Sequence, residues 1–204
     1  KGGGVTNVNL DINESEFIFM IGPTGSGKTT LLRLIYMDLL PQVGNIVVNK
    51  FTSSGMKSKK LPRLRQKIGM VFQNYLLMND RDLFENVALP LHVLGSPKNQ
   101  ITELVEKSLD RFGLSNKVNH YPHELSGGEQ QRACVARAMI KEPDILLADE
   151  PTGNLDPVTS FELIKIFENI NKAGTTILMA SHNYNLIKGR GHRIIEIQNG
   201  SVRS

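Results

Sequence analysis

Nine consecutive residues hold the densest chemistry in the chain: Gly22, Pro23, Thr24, Gly25, Ser26, Gly27, Lys28, Thr29 and Thr30. An apolar run, Phe17 to Ile21, leads into them, and a helix-like run, Leu31 to Ile35, leads out. Strand, glycine-rich turn and helix form the context in which G-x-x-x-x-G-K-[ST] reads as a phosphate-binding loop. Glycines let backbone N–H groups wrap a phosphate without Cβ interference. The helix start adds unpaired N–H donors and the positive end of a dipole. Lys28 is placed to reach β- and γ-phosphates, and the Thr29 hydroxyl to ligate Mg²⁺. The stretch predicts a nucleoside triphosphate site.

Four further candidate residues follow the ends of three apolar strands. Gln73 ends Ile68 to Phe72, where a polar amide can reach a metal or an attacking water. Asp149 and Glu150 end Ile145 to Ala148. Neighbouring strand side chains point to opposite faces, so the two acids need not share a task. Asp149 suits the Mg²⁺ shell, and Glu150 suits polarising a water. His182, after Thr175 to Ala180, becomes a γ-phosphate sensor candidate by the same placement. A second anion-binding helix start reads from Leu125 to Arg132: Ser126 caps, Gly127 and Gly128 leave N–H groups open, and Glu129 sits in the first turn. Two such sites close on one nucleotide if two chains pack head to tail. Asp156, before Pro157, reads on its own as a helix N-cap.

The elements that must position these residues are mostly parallel strands alternating with helices. Val5 to Leu10 alternates as an edge or antiparallel strand does, and Gly44 to Val48 reads as another strand. The helix after Lys28 is expected to run to about Leu40 and stop at Pro41. From Asp80 to about Met139 the texture is helical: one helix over Asp82 to Leu91, and a second N-capped at Ser96 and ended by Gly113. Arg193 to Ile197 and Ser201 to Arg203 read as closing strands joined at Asn199-Gly200. The expected fold is α/β: a P-loop NTPase (RecA-like) core over 1–79 and 140–204, a small antiparallel β subdomain, and an inserted helical subdomain over 80–139. Tyr75 to Met78, at the junction, reads either as core or as an apolar groove for a partner helix. Lys57, Lys59, Lys60, Arg63, Arg65 and Lys67 crowd one polar stretch. It reads first as a solvated face, with lipid head groups and nucleic acid as alternatives.

Composition narrows the class. The 204 residues are 40% hydrophobic and 22% charged, which suits a folded globule. Net charge is +4, so an acidic partner is allowed but not demanded. Cys134 is the only cysteine; it reads as a core residue, and a reducing compartment fits. No apolar run of about 18 residues exists to span a membrane, and no signal-peptide pattern is present. The chain opens at Lys1-Gly2-Gly3-Gly4 and is expected to lack its true start.

The ordered set Gly22 to Thr29, Gln73, Leu125 to Arg132, Ile145 to Glu150, Asn154 to Asp156 and His182 resembles the ABC-type ATPases, over nearly the whole chain. The resemblance implies Walker A, Q-loop, signature, Walker B, D-loop and switch-histidine roles in that order, with Glu150, His182 and Gln73 in catalysis. It implies ATP and Mg²⁺ as ligands, the metal held by Thr29, Gln73 and Asp149. It implies a homodimer in which Ser126, Gly127 and Gly128, with Asp156 nearby, grip the triphosphate held by the other copy. Tyr36 to Gly44, Asp80 to Leu91 and Ala148 to Asp156 are similar to the FtsE family of bacterial cell-division ATPases. That likeness implies a peripheral place on the cytoplasmic face of the inner membrane and an FtsX-like integral partner docking near Tyr75 to Phe84. It also implies control of cell-wall hydrolysis, with no nucleic-acid partner. The last of the three stretches is shared with lipoprotein-release and macrolide-export ATPases, which stand as the alternative. A DNA-repair head is disfavoured, because only 51 residues separate Gln73 from Leu125, too few for a long coiled coil. One departure stands out: the family usually stacks an aromatic residue on adenine, and no aromatic precedes Phe17. Either an N-terminal segment is missing or base selectivity is weak.

Overall fold

The computed structural model describes residues 4–203. Most of the opening Lys1-Gly2-Gly3-Gly4 stretch therefore lies outside the described residues. Its centre is a six-stranded sheet. Strand β1 (Phe17–Ile21) runs parallel between β6 (Thr176–Ala180) and β7 (Arg193–Gln198). Beyond β6 lie β5 (Ile145–Asp149) and then β4 (Ile68–Val71), both parallel. Beyond β7, the antiparallel β8 (Ser201–Arg203) closes the other edge. The inner strands are continuous apolar runs because helices cover both faces. Parallel pairing sets the C-terminal ends of β1, β4, β5 and β6 along one edge of the sheet. The sequences that follow those ends are the P-loop, Gln73, Asp149-Glu150 and Ser181-His182.

One face packs against α1 (Lys28–Ile35) and α2 (Leu61–Gln66), with Ile18, Met20, Leu32, Leu64, Leu147 and Leu178 as its core. The two-stranded antiparallel sheet of β2 (Val47–Val48) and β3 (Phe51–Thr52) joins this side through Val48. The other face packs against α3 (Leu83–Val93), α4 (Lys98–Arg111), α5 (Gly127–Met139) and α6 (Pro157–Lys172). A short α7 (Tyr184–Ile187) precedes β7. Among the described residues, no helix is long and apolar enough to cross a membrane.

Several boundaries differ from the sequence-based expectation. Val5 to Leu10 forms no strand. Val5, Val8, Leu10 and Ile12 instead lay their side chains against the α1-side core, so the alternation records packing without a strand partner. The strand expected from Gly44 shrinks to two residues, because the Asn45 side chain accepts hydrogen bonds from Thr52, Ser53 and Ser54 and turns the chain. Helix α1 ends at Ile35, since Met37 takes a left-handed conformation with φ 51°. Helix α4 starts one residue late, with Pro97 at the N-cap in place of Ser96. By contrast, Asp82 caps α3 through the Glu85 amide (2.9 Å), and Asn199 and Gly200 both take positive φ in the β7–β8 turn.

Candidate active site

The P-loop connects β1 to α1. Gly22 has φ 152°, and a Cβ there would lie 2.2 Å from the Ile197 carbonyl oxygen. No side chain fits, so the loop can pass tightly beside β7. The β7–β8 turn supports it from outside, the Gly200 amide donating to the Ser26 carbonyl at 3.1 Å. Lys28 opens α1 and is 4% exposed. Its ammonium donates to the Gly22 carbonyl (2.7 Å) and the Pro23 carbonyl (3.2 Å) and lies 3.3 Å from Glu150 Oε1. The other carboxylate oxygen of Glu150 lies 2.5 Å from His182 Nδ1. Lysine, glutamate and histidine thus form one chain of contacts across the ends of β1, β5 and β6. Glu150 itself sits at φ 49°, an uncommon conformation for a non-glycine residue, pinned by its amide donating to the Ala180 carbonyl (3.0 Å).

Asp149 points elsewhere, as strand alternation requires. Burial pushes its carboxyl above the ordinary carboxylate range, against the opposing effect of a hydrogen bond with the Thr29 side chain. Its Oδ1 is buried with no hydrogen-bond partner among the described residues, and so is Ser26 Oγ. A buried, half-satisfied carboxylate beside a threonine hydroxyl is the donor set a hard cation takes. These residues therefore fit Mg²⁺.

Gln73 is exposed, with its amide against Gly153, and its carbonyl accepts from Asn154 Nδ2 at 3.5 Å. The signature turn is held separately. Ser126 caps α5 in a reciprocal box: its Oγ accepts from the Glu129 amide (3.3 Å), and Glu129 Oε2 accepts from the Ser126 amide (2.8 Å). That amide bond, with help from Lys117, holds the Glu129 carboxyl below its ordinary range. A Cβ on Gly127 would lie 3.1 Å from the Tyr75 hydroxyl, and one on Gly128 would lie 2.6 Å from Thr159 Cγ2. Asp156 caps α6 through the Val158 and Thr159 amides, both at 3.0 Å. Among the described residues, no hydrogen bond or ion pair links the signature turn to the P-loop of the same chain.

Along Tyr75 to Met78, packed and exposed side chains alternate. Tyr75 and Leu77 pack on the core, whereas Leu76 is 56% and Met78 39% exposed. Tyr75 and Leu76 both have φ 52°, and Arg137 of α5 holds their carbonyls at 2.8 and 2.7 Å. Cys134, buried as expected, donates to the Tyr75 carbonyl. Buried Asn86 fixes the other end of this segment, bonding both the amide and the carbonyl of Met78. Sequence reasoning misses Arg137 and Asn86 in these roles. Arg137 lies 61 residues from the carbonyl of Leu76, and no local pattern records such a contact.

With this geometry in view, the comparisons decide the family. Residues 5–153 match the family described as ABC transporter. The chain belongs to the ABC transporter family. Its cassette is 44% identical over 196 residues to the cell division ATP-binding protein FtsE of Mycobacterium tuberculosis, covering 96% of this chain and 85% of that protein. It is 42% identical over 195 residues to the protein of the same name from Escherichia coli K12, covering 96% and 88%. Among solved structures, a dimeric ATP-binding cassette, MJ0796, in a post-hydrolysis state with ADP and Pi superposes with TM-score 0.88 at 34% identity, covering 98% of this chain and 88% of that one. As an ABC ATPase cassette, the chain carries its P-loop, Glu150 and His182 in contact, and its signature turn on a separate helix.

Proposed function

We propose that this chain is the ATP-hydrolysing subunit of a bacterial cell-division complex. It dimerises head to tail on ATP and drives an FtsX-like integral membrane protein from the cytoplasmic face of the inner membrane, regulating cell-wall hydrolysis. The observation that carries the reading is the division of labour within one chain: Lys28, Glu150 and His182 touch, while Ser126, Gly127 and Gly128 are fixed at a separate helix start by the Ser126–Glu129 capping box. The names of the FtsE relatives support the cell-division assignment, and the dimeric neighbour supports the pairing.

In this reading Glu150 accepts a proton from the attacking water, and His182, 2.5 Å away, orients the carboxylate. Lys28 transfers its contacts from loop carbonyls and Glu150 to the β- and γ-phosphates. The Gly22 to Thr30 loop, which apart from Pro23 carries a backbone N–H at each residue, wraps the phosphates. The partner copy's signature turn adds donors from the far side, with Asp156 shaping the seam between copies. Thr29, Gln73 and Asp149 would hold Mg²⁺, which supplies charge neutralisation at the phosphates. Residues 80–139 act as the helical subdomain, and exposed Leu76 and Met78 belong to the surface that meets the membrane partner.

The test is complementation. Lys28→Ala and Ser126→Arg chains, each inactive and shown folded by circular dichroism, are mixed in equal amounts. A mixed head-to-tail dimer keeps one intact site, so turnover returns to as much as about a quarter of the wild-type level. Absence of any recovered turnover would overturn the shared-site reading.

A further inference from the structure

The positive charge of this protein is concentrated. Seven of its 24 Lys and Arg residues fall between positions 39 and 79, a span without one Asp or Glu. Outside that span acidic residues outnumber basic ones. Exposed Lys50 sits in the turn between β2 and β3, and the structure divides the other six by task. Arg65 turns inward, its guanidinium 4.9 Å above the Tyr36 ring and bonded to the Met37 carbonyl at 3.2 Å. Lys67 pairs with Asp144 at 3.4 Å. Lys57, Lys59, Lys60 and Arg63 remain exposed and make no ion pair among the described residues.

These four are not on a loose loop. Lys59 and Lys60 lie in a 3₁₀ turn, Ser58–Lys60, N-capped by Lys57, that continues directly into α2, which carries Arg63. Leu64, buried fully, and Leu61 anchor that element in the α1-side core. Charges on a rigid element present a fixed array, with little rotamer or backbone entropy to lose beyond the side chains themselves. Val43, ahead of the β2–β3 unit, is 92% exposed, and Val47 within it is 65% exposed. Helix α2 also feeds β4, the edge strand whose far end leads through Gln73 to exposed Leu76 and Met78.

We propose that Lys57, Lys59, Lys60 and Arg63 form a lipid-contact face that seats the cassette on anionic head groups. A cluster of unpaired cations free of acids is what a negatively charged leaflet attracts, and the attraction fades within a Debye length of about 8 Å. Nucleic acid is the weaker fit. Stacking needs open aromatic faces, yet Phe51 packs into the core cluster and the Tyr36 ring is covered by Arg65. The proposal does not depend on the nucleotide site or on a protein partner, and its deciding readout, vesicle binding, involves neither.

The experiment is co-sedimentation of the full chain with vesicles of 30% phosphatidylglycerol in phosphatidylcholine, and with phosphatidylcholine alone. It is run at low and high salt beside a duplex-DNA binding assay. The patch variant is Lys57→Gln, Lys59→Gln, Lys60→Gln and Arg63→Gln together. The control variant neutralises four exposed lysines elsewhere, Lys98, Lys107, Lys172 and Lys188. Basal ATPase and melting temperature report that each remains folded. The expected result is salt-sensitive binding to the anionic vesicles alone, weakened by the patch variant by about 100-fold or more and by the control variant far less. Equal binding to neutral vesicles, equal loss in both variants, or patch-dependent binding to DNA without vesicle binding would each overturn the proposal.

Discussion

Replacing Glu150 by Gln isolates a single charge. The amide keeps the shape, the backbone at φ 49° and a hydrogen-bonding group for His182. It removes the anion 3.3 Å from an ammonium that is 4% exposed. Breaking a buried ion pair by deleting one partner costs about 3–5 kcal/mol. Here Lys28 retains two carbonyl acceptors and Glu150 is partly open to water, at 14% exposure, so the expected loss is nearer ~2 kcal/mol. For a chain of this length that lowers the melting temperature by about 4–8 °C. A triphosphate supplies Lys28 with new negative partners, and in the wild type it must first compete with Glu150. The variant should therefore gain more thermal stability from MgATP than the wild type does. It should also hydrolyse at least about 100-fold more slowly, because the group that takes the proton is gone. Differential scanning fluorimetry with and without MgATP, beside a phosphate-release assay, reads both effects. A variant that melts with the wild type and turns over at a similar rate would refute the energetic argument and the catalytic one together.

Three other substitutions probe the surrounding structure. Asp149 has its folded-state pKa raised by burial above the ordinary 3.8, so between those two values the folded chain binds a proton the unfolded chain has released. The residue's contribution to stability thus falls as pH rises through that window and stays low above it. Asp149→Asn should melt above the wild type at pH 7, converge with it near pH 4, and lose Mg²⁺-dependent nucleotide binding; a lower melting point at pH 7 would contradict this. Gly128→Ala places a Cβ 2.6 Å from Thr159 Cγ2 and should cost about 1–3 kcal/mol in urea unfolding. Adding Thr159→Ser, which deletes that methyl and keeps the hydroxyl, should recover most of the loss, and failure to recover would place the strain elsewhere. Arg137→Ala removes both donors from the Tyr75 and Leu76 carbonyls, and hydrogen exchange at Leu76 to Met78 should accelerate by about 10-fold or more. Arg137→Lys, with one ammonium for two acceptors, should restore only part of the protection; full restoration would deny the two-point hold.

What the sequence made legible was whatever is contiguous. The P-loop and the Asp149-Glu150 pair each lie within one strand–turn–helix unit, and the capped turn at Ser126 links a 3₁₀ turn to α5; in all three, residue type and spacing map directly onto backbone geometry. Parallel β patterning then sufficed to bring the ends of β1, β4, β5 and β6 to one edge. Long-range tertiary contacts were not legible. Nothing local in Lys28 or Glu150 announces their 3.3 Å approach, and the left-handed pair Tyr75 and Leu76 carries neither Gly nor Asn to advertise it. The false strand at Val5 to Leu10 shows the converse: a period of two follows from one-sided burial, and burial on a core side without a neighbouring strand produces the same period.

The apolar layer on the α3–α6 side has a mechanical corollary. Phe19, Val71, Leu146 and Ala148 of the sheet share one uninterrupted cluster with Leu83, Val87, Val105 and Leu109 of the inserted helices. Close-packed interiors admit sliding of about 1–2 Å between elements before contacts must be broken wholesale. The signature helix is therefore no swinging arm. On this packing, a displacement of α5 is expected to be a short shear against the sheet, and Leu76 and Met78 stand clear of that layer.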